Sequence, residues 1–325
     1  MSDRNNPPPS SAYTDAELKE MYLRPSHFQD MDLHAQYFIN HSGHSDLWTL
    51  DRSTRKLHTS SPLHVHTFCE IYLFIHGSVN YLIENEIYHL EENDILIIPA
   101  GCTHQTLVQC GNEHSERIKL WIKQEALDKL STKELNLSAC LSKETVRSNY
   151  YLPNHTNENK LIRAAIEQLE ILQSEPRFAR EVSIRDFLRQ IIIYAQHYCT
   201  SDLAGRTQEQ LLHNPLVSSA MDTIAENLSS PITLESISNT LYVSKYHLAH
   251  TFKQHMGISV HQYIINLRLV KAKQMIDAGV SMNEICEACG FSNYSNFYKL
   301  FKARMGISPT QYRDLVWNDQ ETMEE

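Results

Sequence analysis

The sequence lacks any apolar run long enough to cross a bilayer. Its two apolar peaks, Ile71–Ile75 and Ile95–Ile98, fall far short of the roughly 20 residues a spanning helix needs. No membrane partner is expected. The first eleven residues lack an apolar signal core and carry Pro7, Pro8 and Pro9 in a polar setting. Residues 1–30 are therefore expected to be mostly disordered. Cysteine is sparse and odd in number, with seven residues scattered from Cys69 to Cys289. That scatter excludes a disulfide framework and fits reduced thiols in a cytoplasm. Cys286 and Cys289 form a C-x-x-C pair, but no second ligand pair sits at zinc spacing. Both read as helix-core positions.

Basic charge is also short: 29 Lys and Arg stand against 39 Asp and Glu, for a net charge of −10. Its distribution matters more than its sum. Residues 1–213 hold 20 basic and 28 acidic side chains, whereas residues 214–313 hold 9 basic and 6 acidic. The tail 314–325 adds five acidic residues and no basic one. A chain of 325 residues exceeds one comfortable core, so an acidic and a basic domain are expected.

The basic half contains an internal repeat. Phe252-Lys253, Met256-Gly257-Ile258-Ser259 and Gln262-Tyr263 recur as Phe301-Lys302, Met305-Gly306-Ile307-Ser308 and Gln311-Tyr312. Upstream, Ile237, Ser244 and Tyr246 match Ile285, Ser292 and Tyr294. Each copy reads as helix, tight turn, helix. Ser281 and Glu284 have capping-box spacing, Gly290 permits a sharp turn, and Phe297, Leu300 and Phe301 form a buried stripe. His261–Ala278 reads as one helix between the copies, with Ile265, Leu269, Ala272 and Ile276 on one face. At 1.5 Å per residue it spans about 27 Å, close to the roughly 34 Å between successive major-groove faces.

The segment Gly290-Phe291 to Tyr312-Arg313 resembles the DNA-binding domain of AraC/XylS-type transcriptional regulators. Ile285 through Tyr312 carries the similarity. The resemblance implies double-stranded promoter DNA as a partner. It puts base contacts at outward positions of the two recognition helices: Tyr246, Ala249 and His250, then Tyr294, Ser295, Asn296 and Lys299. Ala249 offers only a methyl group, suited to thymine. Lys245, Lys253 and Lys302 are expected at phosphates, which position the protein without reading sequence.

The acidic half changes character. Short runs rich in Ile, Tyr, Val and Leu, broken by turn residues, predict a β-barrel or sandwich. Glu70–His76, Asn80–Ile83, Glu86–Leu90 and Asp94–Ile98 read as strands, with a hairpin around Asn85. His64, His66 and Glu70 are all even-numbered, so one strand through them would aim all three at one face. The spacing His-x-His-x3-Glu-x6-Gly, and Pro99-x-Gly101-x2-His104, resemble the two cupin motifs. His58 and Val108 depart from them. In metal-binding cupins the matching positions, His64, His66, Glu70 and His104, are ligands suited to Mn, Fe, Ni or Zn. A small-molecule pocket lined by these four with Tyr72 and Phe74 is the leading reading, ahead of the metal site and of histidines satisfied within a core.

Asn159–Gln173 and Glu181–Tyr198 read as amphipathic helices, and the resemblance implies a homodimer contact there. The fold expected is a multidomain α+β chain. A cupin-like β-barrel over 31–125 is followed by a helical connector over 126–200, a linker over 201–214, an all-α double helix-turn-helix domain over 215–313 and an acidic tail over 314–325. The function expected is a non-enzymatic transcription activator that answers a small polar metabolite, a sugar or derivative, and engages RNA polymerase. A metal-dependent cupin enzyme fused to a DNA-binding module, or a regulator without an effector, are the alternatives.

Overall fold

Strands rich in Ile, Leu and Tyr build the first half of the computed structural model. It describes residues 47–56, 63–107, 114–146, 149–174, 178–201, 214–305 and 307–314. The segment 1–30, most of the 201–214 linker, all but the first residue of the tail, and His58 and Val108 lie outside the described residues.

Two sheets face each other. One has five strands in the order β1 (Trp48–Lys56), β7 (His114–Ile122), β2 (Cys69–His76), β5 (Ile95–Ile98) and β8 (Tyr151–Leu152). The other has three, ordered β4 (Glu86–Leu90), β3 (Val79–Ile83) and β6 (His104–Leu107). The expected hairpin joins β3 to β4 through a turn in which Glu84 takes φ 53°.

Register assigns the faces, because residues directly opposite on paired strands point the same way. Glu70, Tyr72 and Phe74 pair with Trp121, Lys119 and Arg117. Tyr72 meets Tyr81 of the other sheet at 4.9 Å between ring centroids, so this face looks inward. The opposite face of β7, Ile118, Leu120 and Ile122, joins one core with the connector helices. After α1 (Gln124–Leu130) and α2 (Lys143–Val146), those helices are α3 (Asn157–Ser174) and α4 (Arg180–Cys199). They bury Ile162, Ile166, Leu169, Leu188, Ile191 and Ile192, the stripes that helical periodicity predicts.

Among the described residues the second half carries α5 (Pro215–Glu226), α6 (Leu234–Thr240), α7 (Lys245–Met256), α8 (Val260–Asp277), α9 (Met282–Ala288) and α10 (Tyr294–Met305), followed by a helical segment over 309–314. Their starts are chemically marked. Asn214, Thr233, Ser244, Ser259 and Ser281 each accept an amide of the first turn, and Ser281 with Glu284 closes the expected capping box. Asn293 caps α10, its Oδ1 accepting the Asn296 amide at 2.9 Å.

The repeat is sharpest at its turns. Gly290 takes φ 72°, and a Cβ there would lie 2.6 Å from the Leu228 carbonyl oxygen. The matching residue of the first copy is Tyr242, at φ 54°. Its side chain is 96% exposed, so nothing crowds it.

The single stripe expected on α8 is too narrow a description. Leu269, Ala272 and Ile276 enter the core of the second copy, while Tyr263, Ile264 and Val270 enter that of the first. The first core does not end at the helices. It continues into Leu63, Val65, Leu82, Ile87 and Leu107, on the outer face of the three-stranded sheet. Asn85 Nδ2 donates to Asp222 Oδ1 at 2.8 Å across this junction. The Lys273 ammonium, buried on α8, donates to the Val65 carbonyl at 3.3 Å.

Candidate functional site

Inside the barrel, three of the four motif residues converge. One ligand atom each from His66, Glu70 and His104 lies within 4.8 Å of the others, and all three residues are buried. His64 is not in this trio, although it is buried and its ring centroid is 4.1 Å from that of His104. The expectation of one strand through His64, His66 and Glu70 is corrected. His64 forms an isolated bridge to His104, the chain bends at Thr67-Phe68, and β2 begins only at Cys69. The bend, rather than strand alternation, brings His66 over Glu70.

The backbone fixes how the rings are turned. His66 Nδ1 contacts the Phe68 carbonyl at 2.8 Å, and His104 Nδ1 the Cys102 carbonyl at 2.9 Å. A carbonyl only accepts, so each Nδ1 carries a proton and, in the neutral ring, each Nε2 a lone pair. Both Nε2 atoms and Glu70 Oε1 are buried without a hydrogen-bond partner. His66 Nε2 lies 3.3 Å from Glu70 Oε2, two acceptors at close range unless a proton or a cation comes between.

The electrostatics keep this set ionised in one way. Burial alone would raise the Glu70 pKa, but the Lys119 ammonium, 3.6 Å from Oε1, holds it well below the usual carboxylate range. Trp121 Nε1 donates to Glu70 Oε2 at 2.6 Å. Burial, reinforced by His66, depresses His104 to about 3, so it stays neutral. Two backbone-anchored imidazoles and a carboxylate are a donor set that fits a divalent transition metal.

Tyr72 and Phe74 share the inward face, both fully buried; Phe74 stands opposite Arg117 and Tyr72 lies beneath the Lys119 ammonium at 5.7 Å. Arg117, Lys119, Trp121 and Tyr81 belong to the same interior, and motif reading finds none of them. From Arg117 to Leu120, β7 alternates polar with apolar, which reads as polar towards solvent. Here the apolar side packs on α3 and α4, and the polar side faces the barrel interior.

On the helical half, the residues expected at bases are displayed together. Tyr246 and His250 are exposed on α7 with their rings stacked at 6.1 Å, and Ala249 beside them is half-buried. Tyr294, Ser295, Asn296 and Lys299 are exposed at the start of α10. Lys253 and Lys302 are exposed too, whereas Lys245 is held at 3.0 Å by Glu235.

Residues 237–314 match the helix-turn-helix domain family, and residues 50–118 match the AraC-like ligand binding domain. The chain is 24% identical to the uncharacterized HTH-type transcriptional regulator YfiF of Bacillus subtilis (strain 168), over 82% of each chain. It is also 24% identical to the HTH-type transcriptional activator RhaR of Escherichia coli (strain K12), over 78% of this chain and 86% of that one. Among solved structures, the C-terminal domain of AraT, a response regulator from Geobacillus stearothermophilus, is 34% identical. That match covers 31% of this chain and 84% of the other, with a TM-score of 0.30. Among the described residues no helix is long and apolar enough to cross a membrane. The chain belongs to the AraC family of transcriptional regulators, with a DNA-binding helix-turn-helix domain behind an AraC-like ligand-binding domain.

Proposed function

We propose that this regulator is a cytoplasmic activator that reads two neighbouring major grooves through α7 and α10, and that a small polar metabolite in the barrel governs it. The observation that carries the sensing half is the set of buried atoms without a hydrogen bond, His66 Nε2, His104 Nε2, Glu70 Oε1 and Tyr81 Oη, in one interior. Buried polar groups are normally satisfied, so atoms without a hydrogen bond gathered in one interior favour an absent polar guest. A sugar or derivative supplies hydroxyls of both kinds, donor and acceptor, for such a set. The name of the RhaR relative, an activator, supports the same sign of regulation.

Control then acts as a population shift: a guest that favours one arrangement of barrel and helices draws the ensemble towards it. The shared core and the Lys273–Val65 hydrogen bond supply the connection, because Val65 lies between His64 and His66. The exposed apolar side chains Leu161, Val182 and Ile193 of α3 and α4 suit a homodimer seam, and RNA polymerase is the remaining partner of an activator.

A second reading rests on the His66–Glu70–His104 trio. These three would hold a divalent metal, which when bound supplies a Lewis-acidic anchor for a guest oxygen. Thermal unfolding across a panel of sugars, with and without Mn, Fe, Ni or Zn, tests both. A stabilising sugar supports the first reading, and a metal retained through purification the second. No response to any compound leaves a regulator without an effector.

A further inference from the structure

The inward face of β7 presents Ser115, Arg117, Lys119 and Trp121. Lys119 has its charge answered by Glu70 at 3.6 Å, and Asp51 stands opposite it in the β1–β7 ladder. Arg117 does not. It is 3% exposed, and its Nε has no hydrogen-bond partner. Its cross-strand neighbours, Ser53 and Phe74, carry no charge, and no carboxylate among the described residues pairs with its guanidinium.

A guanidinium cannot shed its proton in a protein, so burial leaves a permanent positive charge with no counterion among the described residues. Such a group is tolerated where a ligand supplies the missing charge. Two further orphans share its surroundings: Ser115 Oγ and the Tyr81 hydroxyl, both buried and unpartnered. Burial, then Glu70, raises the Tyr81 pKa well above its ordinary value, with Arg117 acting in the opposite sense. The phenol is therefore a neutral donor.

We infer that the effector is an anion whose carboxylate or phosphate is seated on Arg117, with its polar remainder running past Tyr81 towards His66 and His104. The guanidinium fork matches two oxygens of either group in one plane. A sugar acid or sugar phosphate thereby fits the interior better than a neutral sugar. This rests on the reading that the barrel takes a small metabolite, and it narrows that reading to a charge class.

The test is thermal unfolding of the full chain with D-glucuronate, D-glucose 6-phosphate and D-glucose, on wild type and Arg117→Met. At least one anion is expected to raise Tm by about 5 °C at high saturation, with D-glucose inert; which anion acts separates carboxylate from phosphate. Arg117→Met is expected to lose that shift, yet to unfold without ligand at or above the wild-type temperature, because an uncompensated charge has gone. Arg117→Lys, which keeps charge but not the fork, should retain part of the shift. An Arg117→Met variant clearly less stable than wild type makes the arginine structural and overturns the proposal. So does failure of both anions, or an anion shift that survives the substitution. A D-glucose shift that also survives overturns the anion while leaving a metabolite-sensing barrel intact. Specific DNA affinity of the wild-type chain reports separately on the regulator reading.

Discussion

A histidine whose Nδ1 is tied to a backbone carbonyl has one nitrogen left to offer, and in His104 that nitrogen is buried without a partner. Its pKa of about 3 has a consequence for stability. The folded value lies below the unfolded one, near 6.5, so between those values the unfolded chain binds the extra proton. His104 therefore favours the fold above pH 6.5, and that contribution fades as pH falls towards 3. Denaturant titrations should show stability falling on acidification by at most about 1.4 kcal/mol per pH unit from this residue. His104→Gln should flatten the slope; an unchanged slope would assign it to other groups. On the DNA-binding face the distinction is between reading and holding. Lys299→Ala and His250→Ala should weaken a specific site by about 1–3 kcal/mol while sparing random DNA. Lys253→Ala should weaken both alike and lower the salt slope by about one. Fluorescence anisotropy at several salt concentrations separates the two patterns.

At the scale of elements, the two turns of the repeat make opposite demands. Gly290 has both a positive φ and a carbonyl oxygen where a Cβ would go, whereas Tyr242 has the positive φ alone. Gly290→Ala should cost more than about 1 kcal/mol. Tyr242→Gly relieves a strained conformation at some cost in chain entropy, and should leave stability unchanged to about 1 kcal/mol higher. Chemical denaturation of both variants checks the contrast. The repeat, its caps and the β3–β4 hairpin were legible in the sequence, because each depends on residues a few positions apart. The placing of His66 was not: its approach to Glu70 depends on a bend at Thr67-Phe68 that alternation cannot reveal. Arg117 and Lys119 were hidden for another reason. Their alternation with Ile118 and Leu120 is what a half-solvated strand shows, and only the helices laid on the apolar side reverse its meaning.

On the scale of the whole molecule, the core of the first helix-turn-helix unit runs on into the barrel through Leu82, Ile87 and Leu107. Nothing in the alternation of β3 or β6 announces that their outer face meets helices from more than a hundred residues away. Leu82→Glu places a charge in that junction. It should split the calorimetric unfolding of the chain into two transitions, one for each half. A single unchanged endotherm would mean that the contact carries little coupling. The core of the second unit is different, for among the described residues it contains none from the barrel. Duplication thus left two copies with unequal freedom to drift: the core of one is continuous with the barrel, the core of the other is not. Grafting foreign residues onto the outward face of α10 should retarget the regulator to a new half-site while its chemical trigger stays as it was.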